Sequence, residues 1–94
     1  MIQVKLFSTL AELAGQREIH LDIAQDIMIP DLIPIIAEKT NKKLMAFIID
    51  DSSGFFKDFI SIVLNEQVLT KKETREIKLK DGDVIAILTP IEGG

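Results

Sequence analysis

The sequence predicts an α+β fold, a mixed sheet of four to five strands with one main helix laid across one face. Three observations carry the prediction. The first and last ordered segments, "MIQVKLF" and "DVIAILT", both alternate strongly in hydropathy. A segment with helical spacing lies between them at "IPDLIPIIAEK". The remaining strand signals are short and are punctuated by turn residues such as Asp81-Gly82.

In order along the chain, Ile2, Val4 and Leu6 alternate with Gln3, Lys5 and Phe7, which describes a half-buried strand with Phe7 falling on its polar face. "STLAELAG" follows, where Thr9 and Glu12 predict a capping box and Gly15 a stop, giving a helix of two turns. Residues 17–23 alternate again, with Ile19, Leu21 and Ile23 inward and His20 on the solvated side. The main helix runs from near Pro30, with Leu32, Ile35, Ile36 and Lys39 at helical spacing and Asn41 as its stop. Pro34 interrupts that pattern, so the helix is expected either to begin near it or to have an irregular first turn. "AFII" predicts a strand, "DDSSG" a turn and "FISIVLN" a second strand, with Phe55, Phe56 and Phe59 forming a satellite core beside it. Lys71 to Glu76 is expected as a solvated strand edge leading to a short strand at 77–79. The last strand places Ile85 and Ile87 on one face and Val84, Ala86 and Leu88 on the other. The two most apolar strands belong side by side and parallel at the sheet's centre, which with one covering helix is a β-grasp. Residues 1–89 are expected to form this domain and residues 90–94 a flexible Gly-Gly tail.

Composition narrows the function. At 94 residues there is one core and little interior for an active site. Fifteen acids against eleven bases give a net charge of −4, which disfavours nucleic acid and anionic membrane surfaces as partners. The absence of Trp and Tyr removes the usual platforms for stacking bases. With no cysteine there is no disulfide, thiol nucleophile or thiolate-held metal. No metal site is expected elsewhere, because Asp50-Asp51 lies in a Ser/Gly turn and His20 has no second ligand in view. No signal peptide or membrane span is in view, so a cytoplasmic protein is expected.

One stretch does carry chemistry. "MIQVKLF", "LAELAG", Leu64-Asn65 and above all "LKDGDVIAILTPIEGG" resemble the ubiquitin-like sulfur-carrier family, in particular the small subunit of molybdopterin synthase. The likeness spans nearly the whole chain and is densest from Leu79 to Gly94; Thr89 and Glu92 stand where that family usually has a second proline and a small residue. The resemblance implies that an adenylating enzyme related to ubiquitin-activating enzymes uses ATP to activate the carboxylate of Gly94, which then becomes a thiocarboxylate. No cofactor is expected to be held stably by the chain itself. It also implies that Phe7, Val68 and Leu88 pack in turn against the activating enzyme and the large subunit. Ala86 joins them by lying on the outer face of the last strand.

The residues make physical sense of such a role. A glycine pair has no Cβ and fits a narrow channel, and Pro90 restricts the unbound tail, so Pro90, Gly93 and Gly94 are the expected insertion residues. Two alternatives share the activation step: a protein modifier joined through Gly94 to lysines of target proteins, and the sulfur carrier of thiazole synthesis. In each case the chain is a non-catalytic carrier, without an active site of its own.

Overall fold

The computed structural model describes residues 1–90. Strands β1 (Ile2–Leu6) and β7 (Val84–Leu88) are its axis. They run parallel, with Val4 beside Ile85 and Leu6 beside Ile87. β2 (Glu18–Leu21) pairs antiparallel with β1, and β4 (Ser61–Leu64) pairs antiparallel with β7. β5 (Gln67–Val68) completes the five-stranded order β2-β1-β7-β4-β5. The first and last strands are therefore neighbours in the interior of the sheet, as the β-grasp expectation requires. β3 (Ile27–Met28) and β6 (Lys78–Leu79) form a separate two-stranded ladder.

The alternation in the two axial strands decides which face is inside. Ile2, Val4 and Leu6, with Ile85 and Ile87, are almost fully buried against Leu10, Leu32, Ile36, Leu44 and Ile48 from the helices. Helix α2 (Ile29–Lys39) is the longest and supplies Leu32 and Ile36. Pro34 lies inside it, so the helix neither starts there nor breaks there. Its ring is exposed, and the cost is one backbone donor that a non-proline residue would have contributed. The start is fixed earlier, where the Met28 N–H donates to Asp31 Oδ2 at 2.9 Å.

Five local expectations are corrected. Helix α1 spans Ser8–Ala14, with Phe7 at the N-cap and no side-chain cap, so Thr9 is not the capping residue. The chain leaves β1 at Leu6, which is held by its N–H to the Arg17 carbonyl at 2.8 Å, and the helix must start at once for Leu10 to reach the core. Ser8 enters it at φ +42°, and Gly15 ends it at φ +73° as expected.

The "AFII" stretch is not a strand. Helix α3 (Lys42–Ile48) takes in Ala46, Phe47 and Ile48, and only Ile49 forms a bridge, to Phe56. Asn41 starts this helix instead of ending the previous one: its Oδ1 accepts the Leu44 N–H at 3.0 Å. The same side chain donates from Nδ2 to the Leu13 carbonyl at 2.7 Å, satisfying the end of α1. Leu44 and Ile48, four residues apart, both bury completely, and that burial overrides the strand preference of Phe and Ile.

Lys71–Glu76 forms a short helix, α4, and not a strand edge. Thr70 and Glu73 exchange capping hydrogen bonds of 3.1 and 2.9 Å, a T-x-x-E signal in "TKKE". Finally, the three phenylalanines separate. Phe55 and Phe56 are buried and meet edge to face at 5.2 Å, whereas Phe59 is exposed. The Asp50-Asp51 stretch is the expected turn, with Asp50 Oδ1 accepting the Ser52 N–H at 2.9 Å.

Candidate functional site

The outer face of the sheet is built from the other half of the alternation. Across the strands Lys5, Ala86, Val63 and Val68 stand in one register row. Leu88 lies two residues along β7, paired with Ser61. Val68 is 66% exposed, while Ala86, Val63 and Leu88 are half-buried. Phe7 follows Leu6, the partner of Ile87, so it stands at the same end of the sheet as Leu88, and it is 42% exposed. The face thus brings Ala86 and Val68 into one apolar row and sets Phe7 and Leu88 at its end. Val63, which links Ala86 to Val68, was not predicted; its alternation with Ile62 is the signal that would have found it. A contiguous apolar patch of this kind on a small domain is characteristic of a protein interface.

The D-G-D turn holds this strand in place. Gly82 sits at φ +95° and donates its N–H to the Met1 carbonyl at 3.0 Å. Asp83 Oδ2 accepts the Lys80 N–H at 2.8 Å, and Asp83 Oδ1 accepts from Asn65 Nδ2 at 3.0 Å. Asn65 Oδ1 in turn accepts the Val84 N–H at 2.9 Å, and the Asn65 N–H donates to the Val84 carbonyl at 2.8 Å. Asn65 and Glu66 have φ of +47° and +72°, making the tight turn from β4 to β5. One asparagine therefore ties the β4–β5 hairpin to the first residue of β7. The Leu64-Asn65 and D-G-D motifs, 18 residues apart at Asn65 and Asp83, are two halves of one clasp.

At the opposite end β7 closes with Leu88, Thr89 is buried, and Pro90 is exposed. Pro90 is the only expected insertion residue within the described chain; Gly93 and Gly94 lie outside the described residues. Charge around the patch is mixed. Glu18 on β2 accepts from His20 at 3.0 Å, and that hydrogen bond, with a second from Gln3, holds its carboxyl below the ordinary glutamate value. An open groove of about 600 Å³ runs beside Phe7, lined also by Lys5, Glu12 and Arg17. A more enclosed space, between Phe56 and Thr74, holds about 60 Å³, too little for a substrate. Among the described residues no helix is long and apolar enough to cross a membrane.

Comparison with known proteins places this geometry. The model of the ThiS family matches residues 4–94, from β1 through both terminal glycines. Small archaeal modifier protein 3 of Haloferax volcanii is 24% identical over 93 residues, covering 99% of this chain and 98% of the relative. The crystal structure of small archaeal modifier protein 1 of the same organism superposes with a TM-score of 0.81 at 26% identity, covering 99% of this chain and 98% of that one. The solution structure of small archaeal modifier protein 1 from Methanosarcina acetivorans gives a TM-score of 0.78 at 30% identity, covering 99% and 95% of the two chains. A family match over nearly the whole chain and superposition on these relatives show the family: the chain belongs to the ThiS family of ubiquitin-like small sulfur-carrier proteins.

Proposed function

We propose that this chain carries sulfur on the carboxylate of Gly94 and serves as the small subunit of a molybdopterin synthase. The observation that carries the reading is the position of β7. β7 is a central strand clasped at its start by Asn65 and Asp83, and it ends beside an apolar face with Pro90 exposed. The body is then a handle, and the chemistry belongs to whatever receives the tail.

A carboxylate is a poor electrophile. In the proposed cycle its oxygen attacks the α-phosphorus of ATP on an adenylating enzyme, pyrophosphate leaves, and a mixed anhydride forms. Hydrosulfide-level sulfur then attacks the acyl carbon; the C–S bond forms, the C–O bond to AMP breaks, and a thiocarboxylate remains. The large subunit supplies the pterin precursor that accepts the sulfur. Phe7, Val68, Ala86 and Leu88 form the docking face, so the adenylating enzyme and the large subunit bind one after the other. Members of this family are not themselves catalytic, and the chain supplies no acid or base to either step.

A second reading shares the activation and changes the acceptor: a lysine amine of a target protein attacks the activated Gly94 carbonyl and an isopeptide bond forms. It is favoured by the names of the three relatives described above, each a small archaeal modifier protein. Co-expression with the adenylating enzyme followed by intact-mass analysis separates the two. Exchange of one oxygen for sulfur on the chain supports the carrier; conjugates joined through Gly94 to lysines support the modifier; neither product contradicts both.

A further inference from the structure

Phe59 is a second large aromatic exposed close to the exit of β7. It is 44% exposed, yet it is held in place: Phe47 of α3 meets it edge to face at 6.0 Å and 79°. Lys57 Nζ lies 5.9 Å from its ring and is itself pinned by donating to the Ala46 carbonyl at 2.8 Å. A surface ring oriented from two sides has already lost part of the freedom that binding would otherwise remove.

Its place is set by register. β4 and β7 run antiparallel, their ladder ends with Ser61 beside Leu88, and Phe59 lies two residues before Ser61, in the turn that leads into β4 at this same end of the sheet. On the other flank of β7, β1 brings Phe7 level with Leu88. Two exposed phenylalanines thus bracket the point where the chain leaves the sheet. Phe7 belongs to the outer-face patch already described. Phe59 does not; its support comes from α3 and the turn after it, the stretch in which the likeness to the sulfur-carrier subunit is thinnest.

We propose that Phe59, backed by Phe47, is a docking ledge for the adenylating enzyme on the flank of β7 opposite Phe7, and that it contributes to the choice of that enzyme. The inference rests on the reading that Gly94 is activated, and the length of the tail commits the occupant. Gly94 lies four residues beyond Pro90. Extended, they reach at most about 14 Å at ~3.3–3.6 Å per residue. An enzyme that acts on the Gly94 carboxylate must bring its channel mouth within that distance of Pro90, and therefore close to the residues that flank the end of β7. The ring at 59 offers that surface an apolar anchor, a residue type that commonly dominates interface energetics.

The test is ATP–pyrophosphate exchange by the purified adenylating enzyme, with full-length chain as the varied substrate. Phe59→Ser should raise KM about tenfold, the order of one lost aromatic anchor, and leave kcat within twofold. Phe59→Leu, which keeps most of the apolar area, should lie between the two. Glu38→Gln, an exposed change on α2, should match the parent chain, and equal thermal midpoints for all variants exclude a folding cause. If the parent chain supports exchange and Phe59→Ser leaves KM unchanged, the ledge is refuted while the carrier reading stands. If the parent chain supports no exchange, the carrier reading fails and the ledge with it.

Discussion

Asn65 shows how much one side chain can settle. Its amide gives and takes one hydrogen bond at the D-G-D turn, and its backbone occupies the left-handed region at φ +47°, which asparagine tolerates better than most residues. Asn65→Ala loses both bonds and keeps the strained φ, so a loss of about 1–3 kcal/mol in urea unfolding is expected. Asn65→Gly relieves the backbone but not the bonds and should fall between. Gly82 has room for a methyl group, with nothing within 4 Å of an added Cβ, but its φ of +95° makes Gly82→Ala unfavourable for backbone reasons alone. Glu18 provides a pH signature. Its folded pKa lies below the ordinary value because His20, then Gln3, hydrogen-bonds the carboxylate. A depressed carboxylate adds stability above its unfolded pKa and loses it as the pH falls through the folded value. Glu18→Gln should therefore differ from the parent chain near neutrality and converge with it in acid; a gap that widens in acid would contradict this assignment. The residue is fully exposed, so the difference will be small.

Among the elements, the four longer strands were legible, whereas the two-residue strands β3 and β5 and two helices were not, and the reason is physical. β1, β2, β4 and β7 each bury one face, and a period of two survives any detail of packing. α3 is only seven residues long and rich in Phe and Ile, and its helical state comes from the burial of Leu44 and Ile48 and from the Asn41 cap. None of that is visible in periodicity over so short a window. α4 could have been read, since Thr70 and Glu73 carry the capping signal, but its charge obscured it. The apolar outer face was legible at Phe7, Ala86 and Leu88, because apolar residues on the wrong half of an alternation are informative; Val68 was expected only from the family resemblance, and Phe59 was not legible, because its exposure depends on the position of α3. Leu44→Ala tests the account of α3. It should cost about 2–5 kcal/mol by leaving a cavity under the sheet. Asn41→Ala should cost about 1 kcal/mol through the lost cap, and more if its bond to Leu13 also matters.

For the whole molecule, the proposed function divides the labour between a buried core and a terminus that works on another protein. The buried residues form one cluster running from Ile2 to Ile87, and Thr89 is the last buried position described. On the proposed reading, the contribution of the body to the reaction is address and presentation. Val68→Asp, a charge placed at the exposed edge of the apolar row, should weaken binding to the adenylating enzyme roughly tenfold or more while the thermal midpoint stays within a few degrees. The most direct test is transfer of label from [α-phosphate-labelled] ATP to the chain in the presence of that enzyme, comparing the full sequence with a chain lacking Gly94. The account predicts an acid-stable adenylate on the full chain, none on the shortened one, and the same unfolding curve for both. Equal labelling of the two chains, or loss of folding when Gly94 is removed, would contradict it.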